Sequence, residues 1–296
     1  MSNILVLGAS GMLGNSLMNF FSQYPKYKII GTVRSKEMYS SLPENLRKNC
    51  FSGVRADDFR TVQDAVEQSQ PDFVINCIGV IKQVSEVKNP QTAIEINALF
   101  PHRLSKICLD FGARLIHIST DCVFNGDRGM YKEENLPDAQ DLYGLSKRLG
   151  EVENSHSITI RTSIIGHELL SNRGLVEWFL SQTHAVRGYS RAIFSGLPTN
   201  ELARIIDKYI LPHEKISGLY HISAPPISKM QLLKIVAKVY QHDIDIVEDN
   251  KFAIDRSLDS TKFQKLVGYV PKDWETLVGS MHEFYLNIAS LKHNGT

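Results

Sequence analysis

The chain opens on a buried-strand pattern, Ile4-Leu5-Val6-Leu7, that runs directly into Gly8-Ala9-Ser10-Gly11-Met12-Leu13-Gly14 and then into an amphipathic segment, Asn15 to Phe21. Few short stretches restrict a fold as strongly. A strand that turns through glycines into a helix leaves bare N–H groups and the positive end of the helix dipole aimed at one spot. That spot is an anion site, suited to a dinucleotide pyrophosphate. The spacing is Gly-x-x-Gly-x-x-Gly, one step away from the usual Gly-x-Gly-x-x-Gly fingerprint. Its placement between strand and helix separates it from a plain tight turn. Gly8, Ser10, Gly11, Met12, Leu13 and Gly14 are therefore the expected cofactor-binding turn.

The second apolar run, Tyr27–Val33, ends in Arg34, with no carboxylate before Glu37. An acidic residue about 20 residues past the turn meets the ribose of NAD, whereas an arginine accommodates the 2′-phosphate of NADP. A guanidinium clamps a phosphate through parallel hydrogen bonds, which a carboxylate would repel. The expected cofactor is NADPH, ahead of NADH, with Arg34 on its phosphate.

The 296 residues suffice for one large domain or a domain plus a smaller lobe. Lysine and arginine total 33 against 32 acidic residues, so no global field favours nucleic acid or an acidic membrane. The first residues lack the basic segment of a secretion signal, and no run approaches the roughly 18 apolar residues of a membrane span. Cys50, Cys77, Cys108 and Cys122 show no Cys-x-x-Cys spacing, so free thiols in a reducing cytoplasm are expected and no metal is.

Strands are predicted near 3–7, 27–33, 50–54, 73–78, 114–118 and 157–161, with helical segments between them. That alternation implies an α/β fold with a parallel, doubly wound, Rossmann-type sheet. A helix from Gln91 to Phe111 should kink or break at Pro101. Past 162 the alternation stops. Strands at Leu219–Ile222 and Ile244–Val247, with helices at Thr199–Tyr209, Lys229–Tyr240 and Glu275–Leu286, suggest a smaller α/β substrate lobe. The expected division is 1–162 and 163–296, with some late segments returning to the first domain.

The run Leu115–Ile118 delivers Ser119-Thr120-Asp121 to the carboxyl edge of the sheet, where open α/β sheets bind ligands. Further on stands Tyr143-Gly144-Leu145-Ser146-Lys147. With Asp141 as helix cap, Tyr143 and Lys147 share one face. An ammonium one turn away is expected to pull down a phenol pKa that is ordinarily about 10. The Thr120 hydroxyl can then polarise a carbonyl beside the phenol, a proton relay for carbonyl–alcohol interconversion with a nicotinamide. A lone Tyr-x-x-x-Lys is common on ordinary helices; only its company makes it specific.

In that company the chain resembles an extended short-chain dehydrogenase/reductase, and within that superfamily the dTDP-4-dehydrorhamnose reductase group. The matching stretches are GASGMLG (8–14), PDFVINCIG (71–79), EINALFPHRL (95–104), ISTDCVFNG (118–126), YGLSKRLGE (143–151) and IRTSIIG (160–166), with SGLPTNELARII (195–206) a looser match. The resemblance implies reduction of a 4-keto-6-deoxy nucleotide sugar, dTDP- or UDP-linked, for surface polysaccharide synthesis. It makes Tyr143 the general acid, Lys147 its partner and a ribose ligand, and Thr120 the carbonyl holder. Asn97 would support the lysine through water, and Cys77 and Gly79 would line the cofactor cleft. Cys122 stands where the family often has an aromatic residue after Thr-Asp. Arg55 stands where many relatives place an aspartate, with Asp57 two residues later.

Lys82 and Gln83, Asp121, Cys122, and the pair Arg187 and Arg191, read as flanking a loop, are candidate substrate contacts, the arginines for a diphosphate. His117 reads as a core histidine. Two other functions stay open: an epimerase holding NAD tightly, and a non-catalytic regulatory subunit of the methionine adenosyltransferase kind. A dehydratase is disfavoured because Asp121 is followed by Cys122 rather than a second acid. A homodimer is an open expectation.

Overall fold

The structure, a computed structural model, describes residues 1–80, 89–213 and 215–293. Its strands, in chain order, are β1 (Ser2–Leu7), β2 (Tyr27–Val33), β3 (Cys50–Ser52), β4 (Phe73–Asn76), β5 (Arg114–Ile118), β6 (Ser157–Arg161), β7 (Ile164–Ile165), β8 (Val186–Phe194), β9 (Leu197–Pro198), β10 (Gly218–His221), β11 (Ile227–Ser228) and β12 (Ile246–Asp255). Seven of them form one sheet in the order β10-β6-β5-β4-β1-β2-β3, every neighbouring pair parallel. The chain leaves β1 toward β2 and β3, then returns to place β4 on the other side. This reversal opens a crevice beyond the carboxyl ends of β1 and β4, where Leu7 stands opposite Asn76.

The apolar runs are continuous because both sheet faces are covered. Ile4 and Val6 pack into one core, while Leu5 and Leu7 pack into the other. On the first face the helix Met12–Phe21 meets Thr199–Ile205, with Leu13, Leu17, Leu202 and Ile205 all buried between them.

The expected bounds of β2, β5 and β6 coincide with the strands, while the predicted 50–54 and 73–78 stop at Ser52 and Asn76. The helix expected to kink or break at Pro101 stays continuous but changes type just before it. A π-helical turn, Ile94–Leu99, joins Pro90–Ala93 to Phe100–Asp110, and the Phe100 N–H reaches back five residues to the Glu95 carbonyl. One widened turn places Pro101 in the first turn of the following helix, where its missing N–H is tolerated.

The later residues form a three-stranded sheet, β11-β8-β12, and a two-stranded pair, β7-β9. β12 is far longer than the predicted 244–247 and carries a register shift between Asp249 and Ala253. The helix Lys229–Tyr240 has its predicted bounds, and the last helix runs longer, Trp274–His293. β10 returns to the main sheet and pairs with β6. Among the described residues no helix is long and apolar enough to cross a membrane.

Candidate active site

The glycine turn is built as an anion cradle. Gly8 has φ +85°, a conformation costly for any residue with a Cβ, and a methyl on Gly14 would overlap the Gly8 carbonyl. Ala9 N–H donates to the Thr32 carbonyl at 2.8 Å, tying the turn to β2. Gly11 is the N-cap of the helix Met12–Phe21 and supplies no side-chain cap, so the positive helix end stays open to a ligand. Met12 and Leu13 contribute backbone N–H groups there, Leu13 burying its side chain in the core. The Ser10 hydroxyl donates to Met38 Sδ at 3.5 Å.

Cys77 lies across the crevice, its N–H donating to the Leu7 carbonyl at 3.1 Å. Burial pushes its thiol up to about 12, so it is a neutral wall. At Gly79 a Cβ would stand 3.3 Å from Asn97 Oδ1 and 3.9 Å from Lys147 Nζ, so glycine keeps the approach to the lysine open. Arg34 is exposed at the end of β2. Asp57 is held below its ordinary range chiefly by its hydrogen bond from Arg55, with Arg34 adding a weaker Coulomb pull. Arg55 Nε reaches Asp57 Oδ1 at 3.0 Å, so these two residues pair with each other.

β5 delivers Thr120 in extended conformation, its hydroxyl accepting from Cys122 N–H at 3.1 Å and donating to Asp121 Oδ1 at 3.2 Å. The helix Leu142–Leu149 is capped by Asp141, which accepts from Gly144 N–H at 3.1 Å. Gly144 is required because a Cβ there would overlap the Cys122 carbonyl. The helix thus rides directly on the loop that follows Thr120. Tyr143 is part-buried, and its phenol interacts with the Thr120 hydroxyl. Lys147 is buried and donates to the Ile118 carbonyl at 2.8 Å.

The expected depression of the Tyr143 pKa by Lys147 is not found. Burial raises it well above 10, the field of Cys122 adds to that, and the Thr120 hydroxyl opposes it only partly. Lys147 is not among the main influences on the phenol, and its own pKa is pushed down to about 8 by burial. Tyr143 is consequently a protonated donor near neutral pH.

Asn97 is buried and held by protein partners. Its Oδ1 accepts from Val80 N–H at 2.9 Å, and its Nδ2 donates to the Val80 carbonyl at 3.0 Å and to Ser146 Oγ at 3.2 Å. Both amide hydrogens are spent on protein atoms, so the residue clasps the segment following β4 to the Tyr143 helix.

Behind this edge lies a buried ion pair that carries no role in the sequence reading, although both members fall within the matched stretches. Glu151 accepts from Arg161 Nε at 2.8 Å and Nη2 at 2.7 Å, and from Ser119 Oγ at 2.7 Å. Its negative charge is the main influence raising Lys147 against burial. Arg161 in turn contacts His221 Nε2 at 3.3 Å. His117 is buried in β5 and bonded to Asn76 at 3.0 Å, a core residue as expected.

Arg187 and Arg191 do not flank a loop. Both lie within β8, four residues apart and exposed, with Arg187 Nη1 3.7 Å from Asp249 Oδ2. Lys82 and Gln83 fall outside the described residues. Asp121, raised by burial, and Cys122, pushed up to about 12 by burial, both contact the Thr120 hydroxyl. Among the described residues no group of three or more His, Cys, Asp or Glu could hold a metal ion.

Comparison with known proteins places this arrangement among relatives. The chain is 31% identical over 232 residues to the spore coat polysaccharide biosynthesis protein SpsK of Bacillus subtilis, covering 75% of this chain and 74% of the relative. It is 22% identical over 315 aligned positions to a dTDP-4-dehydrorhamnose reductase of Aggregatibacter actinomycetemcomitans, covering 96% and 99%. A crystal structure of dTDP-4-dehydrorhamnose reductase from Bacillus anthracis in complex with NADP superposes with a TM-score of 0.77 at 21% identity, covering 95% and 97%, and so shares the fold. The family model described as the RmlD substrate binding domain matches residues 1–286, and with SpsK as a relative across three quarters of its length the chain belongs to that family.

Proposed function

We propose that this chain is an NADPH-dependent reductase of the C4 ketone of a 4-keto-6-deoxy nucleotide sugar, dTDP- or UDP-linked, serving surface polysaccharide precursor synthesis. The observation that supports this reading is the Tyr143 phenol beside the Thr120 hydroxyl, with Lys147 of the same helix fixed on the Ile118 carbonyl at the end of β5 and the glycine turn open at the end of β1. Two relatives lend the substrate class: one is named a dTDP-4-dehydrorhamnose reductase and the other a spore coat polysaccharide protein.

The crevice fits a dinucleotide. Gly8, Gly11 and the first N–H groups of the helix Met12–Phe21 would hold the pyrophosphate, Arg34 the 2′-phosphate, and Cys77 and Gly79 the wall of the nicotinamide end. When bound, the reduced nicotinamide supplies the hydride. The protein's own groups do the rest. Thr120 and Tyr143 donate hydrogen bonds to the ketone oxygen, and Tyr143, kept protonated by burial, gives its proton to the oxygen as negative charge develops there. Lys147, fixed on the Ile118 carbonyl, stabilises the phenolate that remains. Asn97 and Glu151 are positioning residues, the first holding the helix and the second sustaining the lysine's charge.

The test is loss of 340-nm absorbance when purified protein meets NADPH and a panel of dTDP- and UDP-4-keto-6-deoxy sugars. Tyr143→Phe should lower kcat by roughly 100-fold or more while leaving NADPH affinity within a few-fold. No turnover with any sugar, or a Tyr143→Phe variant as fast as the parent, would refute the proposal.

A further inference from the structure

Glu151 stands close to Lys147 yet makes no bond to it. The Ile118 carbonyl accepts from Lys147 Nζ at 2.8 Å, and the next residue, Ser119, donates from Oγ to Glu151 Oε1 at 2.7 Å. Ammonium and carboxylate thus bracket a single peptide unit, with Glu151 just past the end of the helix that carries Lys147. In so dry a place two opposite charges attract strongly and should close into contact. No ion pair joins them among the described residues, because the carboxylate is held elsewhere. Arg161 of β6 grips it as a fork, Nε on Oε1 at 2.8 Å and Nη2 on Oε2 at 2.7 Å, and the two side chains keep only 4% and 6% of their surface exposed.

The fork is fixed from behind. Arg161 Nη1 donates to His221 Nε2 at 3.3 Å, so the imidazole proton sits on Nδ1, which donates to the Tyr131 carbonyl at 2.9 Å. His221 is buried in β10, and its peptide N–H donates to Glu133 Oε1 at 2.8 Å. Burial pushes its pKa down to about 3, the field of Arg161 adding to that and Asp259 opposing it, so the ring is neutral near pH 7. The guanidinium also lies 5.2 Å from the centroid of the Phe124 ring. The loop that bears Phe124 and Tyr131 is clasped in turn by the segment after β12. Arg256 Nε donates to the Phe124 carbonyl at 2.8 Å, Met130 N–H to Ser257 Oγ at 2.8 Å, and Tyr131 N–H to the Ser257 carbonyl at 2.9 Å. Each nitrogen of the Arg161 guanidinium has a partner, so the fork cannot swing.

We propose that Arg161 is a positioning residue of the reaction that keeps the Glu151 carboxylate from closing on Lys147, with His221 as the anchor that holds the guanidinium in place. This rests on the reductase reading, in which Lys147 must stay free to stabilise the phenolate. Held at one remove, Glu151 supports the lysine's charge without drawing it off the Ile118 carbonyl. The other groups that bear on the ammonium are neutral: burial lowers the His117 imidazole in β5 and pushes the Cys77 thiol after β4 up to about 12. Tyr143, one turn back on the same helix, is protonated. Loss of the fork and loss of the carboxylate should therefore act on Lys147 in opposite senses. Without Arg161, Glu151 pairs with the ammonium and raises its proton affinity. Without Glu151, burial is unopposed and lowers it. An ion pair that served stability alone would leave the lysine unmoved.

The experiment is a pH titration by NMR of the full chain carrying carbon-13 at the lysine ε positions, with the Lys147 signal identified by its loss in Lys147→Arg. The parent should titrate at about 8. Arg161→Gln should raise the midpoint to about 9, roughly a 10-fold gain in proton affinity, and Glu151→Gln should lower it by a similar factor. His221→Leu should move it the same way as Arg161→Gln by a smaller factor. His221→Gln, whose amide can both accept and donate, should stay near the parent. In turnover the alkaline limb of kcat/KM should move with the NMR midpoint. A midpoint unmoved in Arg161→Gln, or moved the same way by Arg161→Gln and Glu151→Gln, would overturn the assignment. Should Arg161→Gln fail to fold, Arg161→Lys and the His221 variants decide it, and midpoints equal to the parent's throughout would overturn it. If the midpoints move as stated but the parent reduces no keto sugar, the reductase reading falls and the hold of Arg161 on Glu151 stands.

Discussion

Gly150 ends the helix that carries Tyr143 and Lys147, with φ −91° and ψ 1°, a conformation open to any residue. Backbone freedom is therefore not why glycine stands there. A Cβ at this position would overlap the Asn97 carbonyl oxygen, stand 3.0 Å from its carbon and 3.2 Å from Pro101 Cγ. The obstacle is main chain of the π turn and the Pro101 ring just after it, which cannot rotate aside. Relief requires the two helices to part by about 1 Å, and overpacking of this kind costs about 1–3 kcal/mol. Gly150→Ala should lower Tm by a few degrees for a chain of this size. Because Asn97 also holds Val80 and Ser146, the same shift should lower kcat, since a displacement of about 1 Å costs on the order of 100-fold when it reaches reacting groups. Gly279→Ala in the helix Trp274–His293 is the comparison. A Cβ there meets nothing within 4 Å, so the gain in helix propensity, up to about 1 kcal/mol, should raise Tm. Thermal unfolding followed by circular dichroism, with rates measured at 25 °C, reads both. If Gly150→Ala melts and turns over like the parent, close helix contact does not set the geometry of this site.

Arg34→Asp should raise the KM for NADPH by roughly 10- to 100-fold and leave that for NADH unchanged or improved, read from initial rates with both coenzymes; an unchanged preference would remove Arg34 from the 2′-phosphate. The pH profile should follow Lys147, which burial holds down to about 8. Its ammonium is present below that pH and lost above it, so kcat/KM for reduction should fall as pH rises through about 8. Stability moves the opposite way for this group. Between about 8 and its ordinary value of 10.5 the unfolded chain holds a proton that the folded chain has released, so its contribution to stability rises with pH. An activity decline near pH 8 that tracks unfolding would contradict this assignment.

Much of the fold was legible where its signals are local. β2, β5, β6 and the helix Lys229–Tyr240 announce themselves by apolar period and bounding turns, and Asp141 by its position before the Tyr143 turn. β8 was not legible, and β12 only at its start. Gly188 and Ser190 dilute the alternation of the first, and Glu248-Asp249-Asn250-Lys251 makes the second read as a loop, since its exposed face and register shift demand no apolar side chains there. The same holds for the site. Thr120, Tyr143 and Lys147 sit in compact motifs, whereas Arg256 reaches the loop after Thr120 only because the segment 255–259 docks on the loop 124–131. The desolvation that reverses the expected Tyr143 shift is likewise a property of packing, invisible in a four-residue spacing.

The late return of β10 has a bearing on how the molecule is made. β6 has only β5 and β10 as neighbours, and β10 is synthesised after β7, β8 and β9. A nascent or truncated chain ending near residue 162 would therefore display a bare edge of unpaired amides and carbonyls, a template for the wrong chain. A cut near residue 162 would fall in the loop between β6 and β7 but would part β10 from β6, its partner in the same sheet, so the stretches before and after it are not exchangeable modules that evolution or an engineer can swap at a single joint.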